Sequence, residues 1–241
     1  MTPRFLKTAL VLLLAASPAL AEEAAVRGQI VARDRLALSS QLNTIVSALR
    51  VREGELFQAG EPLVDMDCRS YRAQLAQTRA AERLAQAVLK NTQNLARMES
   101  ASVQEVEKAQ AEVDISAQAR ALAQLDVERC TVRAPFNGAV VSLAVGKGEF
   151  VSAGKPLMEI VSTEPLEAHF LVPSTAIREV SVGQAFAMDV HETKSTVNGT
   201  IRQIAPVADP LNRTIKIFGQ LNKVPALVRP GMSGTVTLIR K

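Results

Sequence analysis

The chain has 241 residues, with 28 basic and 24 acidic side chains, 47% hydrophobic residues, 3% aromatics and no tryptophan. That length allows one or two domains, but so few large side chains exclude a single wide core; Ala, Val, Leu and Ile suit narrow sandwiches and packed helices. The net charge of +4 is partly a property of the N-terminus, where Arg4 and Lys7 precede an apolar run from Ala9 to Ala16 and a small-x-small site at Ala19-Leu20-Ala21, the pattern of a cleaved signal peptide spanning residues 1–21.

Without that segment 26 basic groups face 24 acidic ones, a net of +2. A nucleic-acid partner, which needs a concentrated basic face, is therefore not expected. An uncleaved anchor is the alternative, although the apolar run is short for a membrane span. Glu22 follows the cleavage site, so no lipid-bearing cysteine would begin the mature chain. No later stretch reaches about 18 consecutive apolar residues, the length of a spanning helix.

From Val26 to Leu38 the chain reads as an extended lead-in containing Gly28. Next comes a sequence repeated at a constant offset of 94 residues: Ala48 to Leu63 recurs as Ser142 to Leu157. Leu49/Leu143, Val51/Val145, Gly54/Gly148, Glu55/Glu149, Ala59/Ala153, Gly60/Gly154, Pro62/Pro156 and Leu63/Leu157 are identical pairs, and the register reaches back through Val46/Val140 to Asn43/Asn137. Short β-type apolar clusters lie between Gly54 and Gly60, Gly148 and Gly154, glycines placed for turns that need positive φ. One compact β unit is thus split by an insertion.

The insertion, from Cys68 to Cys130, has no Gly or Pro and is rich in Ala, Gln, Leu, Glu and Arg, all helix-favouring except at its middle. Glu99-Ser-Ala-Ser102 interrupts it, and Ser102 with Glu105 forms a capping-box pattern. Helices are therefore expected over about 69–97 and 103–128. Leu84, Val88, Asn91, Leu95 and Met98 on the first, and Val103, Val106, Gln110, Val113 and Ala117 on the second, follow the 3-4 alternation of a coiled-coil seam. Each arm would be roughly 40 Å long at 1.5 Å per residue.

Cys68 and Cys130 are the only cysteines and stand at the two feet of this hairpin. In an oxidising, exported compartment they are candidates for a disulfide. Two adjacent unbonded thiols are the alternative, because packed helix axes lie 8–10 Å apart and a disulfide requires closer Cα atoms. Two cysteines alone make a poor metal site, and His169 and His191 offer no ligand spacing. After Leu157 the chain returns to β: Leu166–Val172, Gln184–Val190, Val197–Ile204, Thr214–Leu221 and Thr235–Ile239 read as strands of a small antiparallel barrel or sandwich, with Pro173–Val180 as one or two helical turns. Asn198-Gly199 reads as a hairpin turn. His169 reads as a satisfied barrel histidine, and Met158, Met188 and Met232 as core fillers. No nucleophile–base pair, carboxylate dyad or phosphate loop is visible.

The two half-repeats resemble the lipoyl/biotinyl half-motif. Val132-Arg-Ala-Pro-Phe-Asn-Gly-Ala-Val-Val141 resembles the opening of its second half in periplasmic adaptor subunits, also called membrane fusion proteins. Asp209-Pro-Leu-Asn-Arg-Thr214, Asn222 and Leu227-Val-Arg-Pro-Gly-Met232 resemble the barrel signature of the same family. The resemblance covers nearly all of the chain after the leader. It implies a mainly β fold with an α-helical hairpin: a split lipoyl-like β-sandwich (37–67 and 130–161), an antiparallel coiled-coil hairpin (68–129) and a small antiparallel β-barrel (162–241), with 22–36 supplying a strand of the barrel.

The resemblance also implies a non-catalytic, periplasmic role without cofactors. Such adaptors link an inner-membrane transporter to an outer-membrane efflux duct and assemble side by side into a ring. Their hairpin tip carries an Arg, a Leu four residues on and a Ser seven beyond; Leu95 and Ser102 match, while Asn91 stands in the Arg place beside Lys90. Gly54, Gly60, Gly148 and Gly154 would shape the lipoyl turns. A swinging-arm carrier would need a modified lysine where this chain has Asp65-Met66-Asp67-Cys68, and Lys147 and Lys155 instead occupy turns. The chain ends soon after the barrel, so a further membrane-proximal domain is not expected within it. The competing reading is an exported structural or ligand-binding protein that uses the same modules without a pump.

Overall fold

A computed structural model describes residues 26–239. The signal-peptide segment 1–21 lies outside the described residues. In chain order the first elements are β1 (Val26–Ala32), β2 (Arg35–Ser39), β3 (Thr44–Leu49), β4 (Leu56–Phe57), β5 (Pro62–Met66), α1 (Arg69–Arg97) and α2 (Val103–Glu128). There follow β6 (Thr131–Arg133), β7 (Gly138–Leu143), β8 (Phe150–Val151), β9 (Pro156–Ser162), β10 (Leu166–Pro173), a 3-10 turn (Ser174–Glu179), β11 (Ala185–Val190), β12 (Ser195–Asp209), β13 (Thr214–Leu221) and β14 (Ser233–Leu238).

The repeat builds two facing sheets, β2-β9-β7-β4 and β6-β5-β3-β8. Its halves interlock reciprocally. The Gly54 amide donates to the Val140 carbonyl, and the Gly148 amide to the Val46 carbonyl, both at 2.8 Å. The Gly60 amide donates to Ala134, and the Gly154 amide to Ser40, both at 2.7 Å. The Asn43 Oδ1 accepts from the Ala153 amide at 2.9 Å, and the Asn137 Oδ1 from the Ala59 amide at 2.7 Å. Each half therefore closes the other's turn, and the identical residues fall at equivalent places of a pseudo-two-fold. All four of these glycines have positive φ, from 80° to 88°, where a side chain would be strained. Leu63, Val64, Val151, Leu157 and Ile160 fill the space between the sheets with 0% exposure.

The second β unit is a closed barrel in the order β1-β10-β13-β12-β11-β14. Alternation along β10 sends Leu166, Ala168, Phe170 and Val172 inward, where Phe170 packs on Phe186 with ring centroids 5.4 Å apart. The chain leaves the barrel at Ala32 and enters the sandwich at Arg35. The return crossing is tied to this one, since the Asp34 amide donates to Ser162 Oγ at 3.0 Å and the Ser162 amide to the Asp34 carbonyl at 2.8 Å.

Two expectations are corrected. Asn198-Gly199 is no turn: it lies inside β12, and the reversal before it falls at residues 191–194, with Lys194 at φ 51°. Gly199 is required for close approach, because an added Cβ would stand 2.4 Å from Phe186 Cζ and 2.5 Å from the Gln220 carbonyl oxygen. A glycine in a strand serves either purpose, and only the partner strand distinguishes them.

The second correction concerns the hairpin seam. α1 and α2 pack along their length, but the inward track of α1 is Leu75, Thr78, Glu82, Ala85, Leu89 and Thr92, one residue after the track expected from its apolar positions. On α2 the inward track is Val106, Ala109, Val113, Ser116, Arg120 and Ala123. Leu84, Val88, Leu95, Met98 and Val103 are exposed instead, by 68, 49, 39, 73 and 75%. The seam uses small residues, which let the helices approach, and one ion pair across it, Arg120 Nε to Glu82 Oε2 at 2.7 Å. On α2 the expected Val106 and Val113 do face inward, whereas on α1 the apolar track Leu84, Val88, Leu95 and Met98 is displaced, because Leu75, Thr78, Ala85 and Leu89 make the closer fit to the partner helix.

Candidate assembly surfaces

At the hairpin foot, Cys68 and Cys130 are joined by a disulfide with Cα atoms 5.7 Å apart. This spacing arises outside the helices. Cys68 precedes α1 and Cys130 follows α2, and both continue the β5–β6 ladder in which Asp65 pairs with Thr131. The strand spacing, not the helix-axis spacing, thus sets the bridge. Both sulfurs belong to the sandwich core. Asp67 holds the start of α1: its Oδ1 accepts from the Arg69 amide at 3.1 Å, and its Oδ2 pairs with Arg69 Nη2 at 2.6 Å. These bonds, chiefly the side-chain bond to Arg69, lower the Asp67 carboxyl to a pKa of about 2. Tyr71 Oη donates to the Asn43 carbonyl at 3.3 Å, tying α1 to the sandwich.

At the opposite end the capping box forms as the sequence pattern indicates. Ser102 Oγ accepts from the Glu105 amide at 3.2 Å, and Glu105 Oε2 accepts from the Ser102 amide at 2.7 Å. These bonds, first the backbone one, lower the Glu105 carboxyl below its ordinary pKa. The reversal places Glu99 at φ 59° and returns the Ser100 amide to the Leu95 carbonyl at 2.8 Å. Asn91 and Leu95, one turn apart, share a face of α1, and Ser102 opens α2. Together with Met98 and Val103 they give the tip an exposed apolar surface around polar groups.

The barrel wall carries a polar cluster that periodicity alone does not indicate. Glu167 is buried and takes Arg202 Nη2 at 3.0 Å and His169 Nε2 at 3.2 Å. His169 also meets the Phe218 ring edge-on, with centroids 4.9 Å apart. Burial pushes the His169 pKa below its ordinary value, with the Glu167 bond opposing it. This is the satisfied barrel histidine expected from its alternating strand. Beyond it the end of β12 and the β12–β13 turn project Val207 and Leu211, 76 and 91% exposed, the turn being pinned by Asp209 Oδ1, which accepts from the Leu211 amide at 2.8 Å. Among the described residues no group of three or more His, Cys, Asp or Glu is placed to hold a metal ion, and no helix is long and apolar enough to cross a membrane.

A split lipoyl-like sandwich, a helical arm grown from the split and a closed barrel define the architecture of membrane fusion proteins. Residues 34–163 match the family model described as the barrel-sandwich hybrid domain of RND membrane fusion proteins, and residues 168–241 match the CusB-like β-barrel domain. The chain belongs to the membrane fusion protein family of resistance-nodulation-division efflux systems. It is 27% identical over 228 residues to the nodulation protein NolF of Rhizobium meliloti (strain 1021), covering 88% of this chain and 62% of that one. It is 28% identical over 220 residues to the multidrug resistance protein MdtA of Escherichia coli (strain 55989 / EAEC), covering 81% and 52%.

The chain thus spans between half and two thirds of the length of these relatives. Among solved structures, a MacA–MexA chimeric protein containing the Pseudomonas aeruginosa MexA α-hairpin domain superposes with a TM-score of 0.78 at 17% identity, covering 90% of this chain and 78% of that one. The membrane fusion protein Spr0693 of Streptococcus pneumoniae R6 superposes at 0.66 with 21% identity, covering 89% and 98%.

Proposed function

We propose that this chain is a periplasmic adaptor that links an inner-membrane transporter to an outer-membrane efflux duct, and that it acts by assembly in several copies rather than by catalysis. The observation that carries this reading is the outward apolar stripe of the hairpin. The seam is already made by Leu75, Leu89, Val106 and Val113 with Thr, Ala and Ser between them, and Leu84, Val88, Leu95 and Met98 form a second apolar track of α1 that the pair leaves in water. Exposed contiguous apolar surface of this kind marks an interaction face. The arm is anchored at its foot by the disulfide and by Tyr71, so a contact at the tip is transmitted to the sandwich and through the paired crossings at Asp34 and Ser162 to the barrel.

In this reading the tip around Asn91, Leu95 and Ser102 docks on the duct, and the barrel end sits on the transporter. The lipoyl-like sandwiches pack side by side into a ring. The chain works in the periplasm after export, held at the inner membrane by its transporter. The test is export of a substrate of the cognate pump in cells carrying Leu95→Asp. Export should be lost while the amount of the protein and its disulfide are unchanged. Normal export by Leu95→Asp would remove the tip from the docking surface. Export supported by a complex containing a single copy of the chain would refute assembly in several copies.

A further inference from the structure

The two halves of the sandwich are equivalent in backbone but not in side chains at one pair of flanks. Leu56 on β4 pairs with Ala139 on β7, and Phe150 on β8 pairs with Ile45 on β3. The 94-residue offset relates Leu56 to Phe150 and Ile45 to Ala139, so these are the same flank made twice. One version is small, Leu with Ala; the other is large, Phe with Ile. Phe150 is 61% exposed and Ile45 43%, and Phe150 is the one aromatic among the exposed large hydrophobic residues of the described chain.

The surroundings of the two flanks also differ. The barrel attaches beside the small one. There Leu56, Ala139, Val141 and Val161 of the sandwich face Val224 and Ala226 of the β13–β14 connection across an open, mainly apolar cleft of about 820 Å³. Neither Phe150 nor Ile45 lines it. The flanks thus differ in size and setting: the larger pair, Phe150 with Ile45, stands uncovered on one sheet, and the smaller, with Leu56 69% exposed, lines an unfilled, mainly apolar hollow beside the other.

We propose that Phe150 and Ile45 of one copy insert into the sandwich–barrel cleft of a second copy of this chain, as the repeating contact of the ring. The inference rests on the multi-copy reading above and specifies its surface. A knob and a hollow at different places on one molecule make a heterologous contact, the kind that propagates from copy to copy and closes where the rotation allows. Charges agree with this pairing. Lys147 lies three residues from Phe150, and Glu164 borders the cleft, neither with an ion pair among the described residues; of the two arginines that also border the cleft, Arg35 is taken by Glu159 and Arg229 donates to the Ala226 and Val228 carbonyls. A buried aromatic anchor with an opposed charge pair at the rim is the arrangement that concentrates binding energy in a few residues.

The experiment places a benzophenone-bearing residue at position 150 of the full exported chain, in cells that also make its transporter. Irradiation should give an adduct of two copies, mapped by mass spectrometry to Leu56, Val141 or residues 224–231 of the second copy. With the photoreactive residue at position 141 instead, the adduct should map to the peptide containing Phe150. Adding Phe150→Asp to that second chain should lower the yield by about tenfold or more. Lys147→Glu should lower it as well, and Lys147→Glu with Glu164→Lys should restore it. An intact disulfide and an unchanged melting temperature in each variant exclude misfolding as the cause. Adducts to the transporter, the duct or another surface of the chain would overturn the proposal, as would full yield from Phe150→Asp. An amine-reactive crosslinker separates the two levels: a ladder of copies that persists in Phe150→Asp overturns this surface and leaves the ring, whereas no ladder in the wild-type chain overturns both.

Discussion

Opening the Cys68–Cys130 bond tests what holds the hairpin to the sandwich. The bond closes a loop with a sequence separation of 62, which corresponds to about 4 kcal/mol in the chain-entropy model. Little in the seam offsets its loss. Among the described residues of the two helices only Leu75, Ala85, Ala109, Ser116 and Ala123 are buried, and one of them is a serine. Four small side chains and one leucine bury far less apolar area than an ordinary leucine seam. Reduction, with the thiols kept free in dithiothreitol, adds no bulk to the core that holds both sulfurs, and Cys68→Ala with Cys130→Ala provides a second route. Hydrogen exchange should then accelerate in the turns of α1 and α2 nearest the foot, by up to about a thousand-fold if the full term is expressed, since 1.4 kcal/mol is a factor of ten. Barrel amides such as that of Ile217 provide the internal control, because the barrel has its own core. Exchange at the foot that changes by less than about twofold in both routes would refute the reasoning, and would assign the anchoring to Tyr71 and the β5–β6 ladder.

Further outcomes follow from the same contacts. Gly199→Ala should destabilise the barrel by about 1–3 kcal/mol, as overpacking does, whereas Gly146→Ala, whose added Cβ meets nothing nearer than 3.9 Å, should be close to neutral in thermal denaturation. Asn43→Ala and Asn137→Ala should each cost about 0.5–1.5 kcal/mol, with similar values because each closes the other half's turn. The Glu105 carboxyl titrates below its ordinary pKa, so its capping contribution is present above the unfolded-state value and is lost as the pH falls through the folded one; NMR titration should show the depression, and Ser102→Ala should lessen without abolishing it, because the bond from the backbone amide of residue 102 remains. Ser102→Asp should keep a helix cap and so separate capping from docking in an export assay. In dilute solution the isolated chain should sediment as a monomer or small oligomer and form a closed ring only with its transporter in detergent; a closed ring without the transporter would contradict that weak-contact expectation.

The repeat and the helix ends were legible in the residues because their causes are local, whereas the two cysteines were placed at the hairpin feet but their bonding was decided by the β5–β6 strand spacing. A capping box, a run without glycine or proline, and turn glycines at matched positions specify geometry within a few residues. The 94-residue offset reports the pseudo-two-fold directly, since identical backbones demand identical turns. What the sequence left open depends on partners distant along the chain. Whether Asn198-Gly199 turns or runs straight depends on Phe186 and Gln220 lying across from it. Which helical stripe of α1 faces inward was decided by fit: small side chains and a charged pair between Leu75 and Leu89 permit close packing, and Leu84, Val88, Leu95 and Met98 are left outside for another surface. The unequal flanks at Leu56 and Phe150 are visible as letters, but only the attachment of the barrel beside one of them turns that difference into a hollow and a knob.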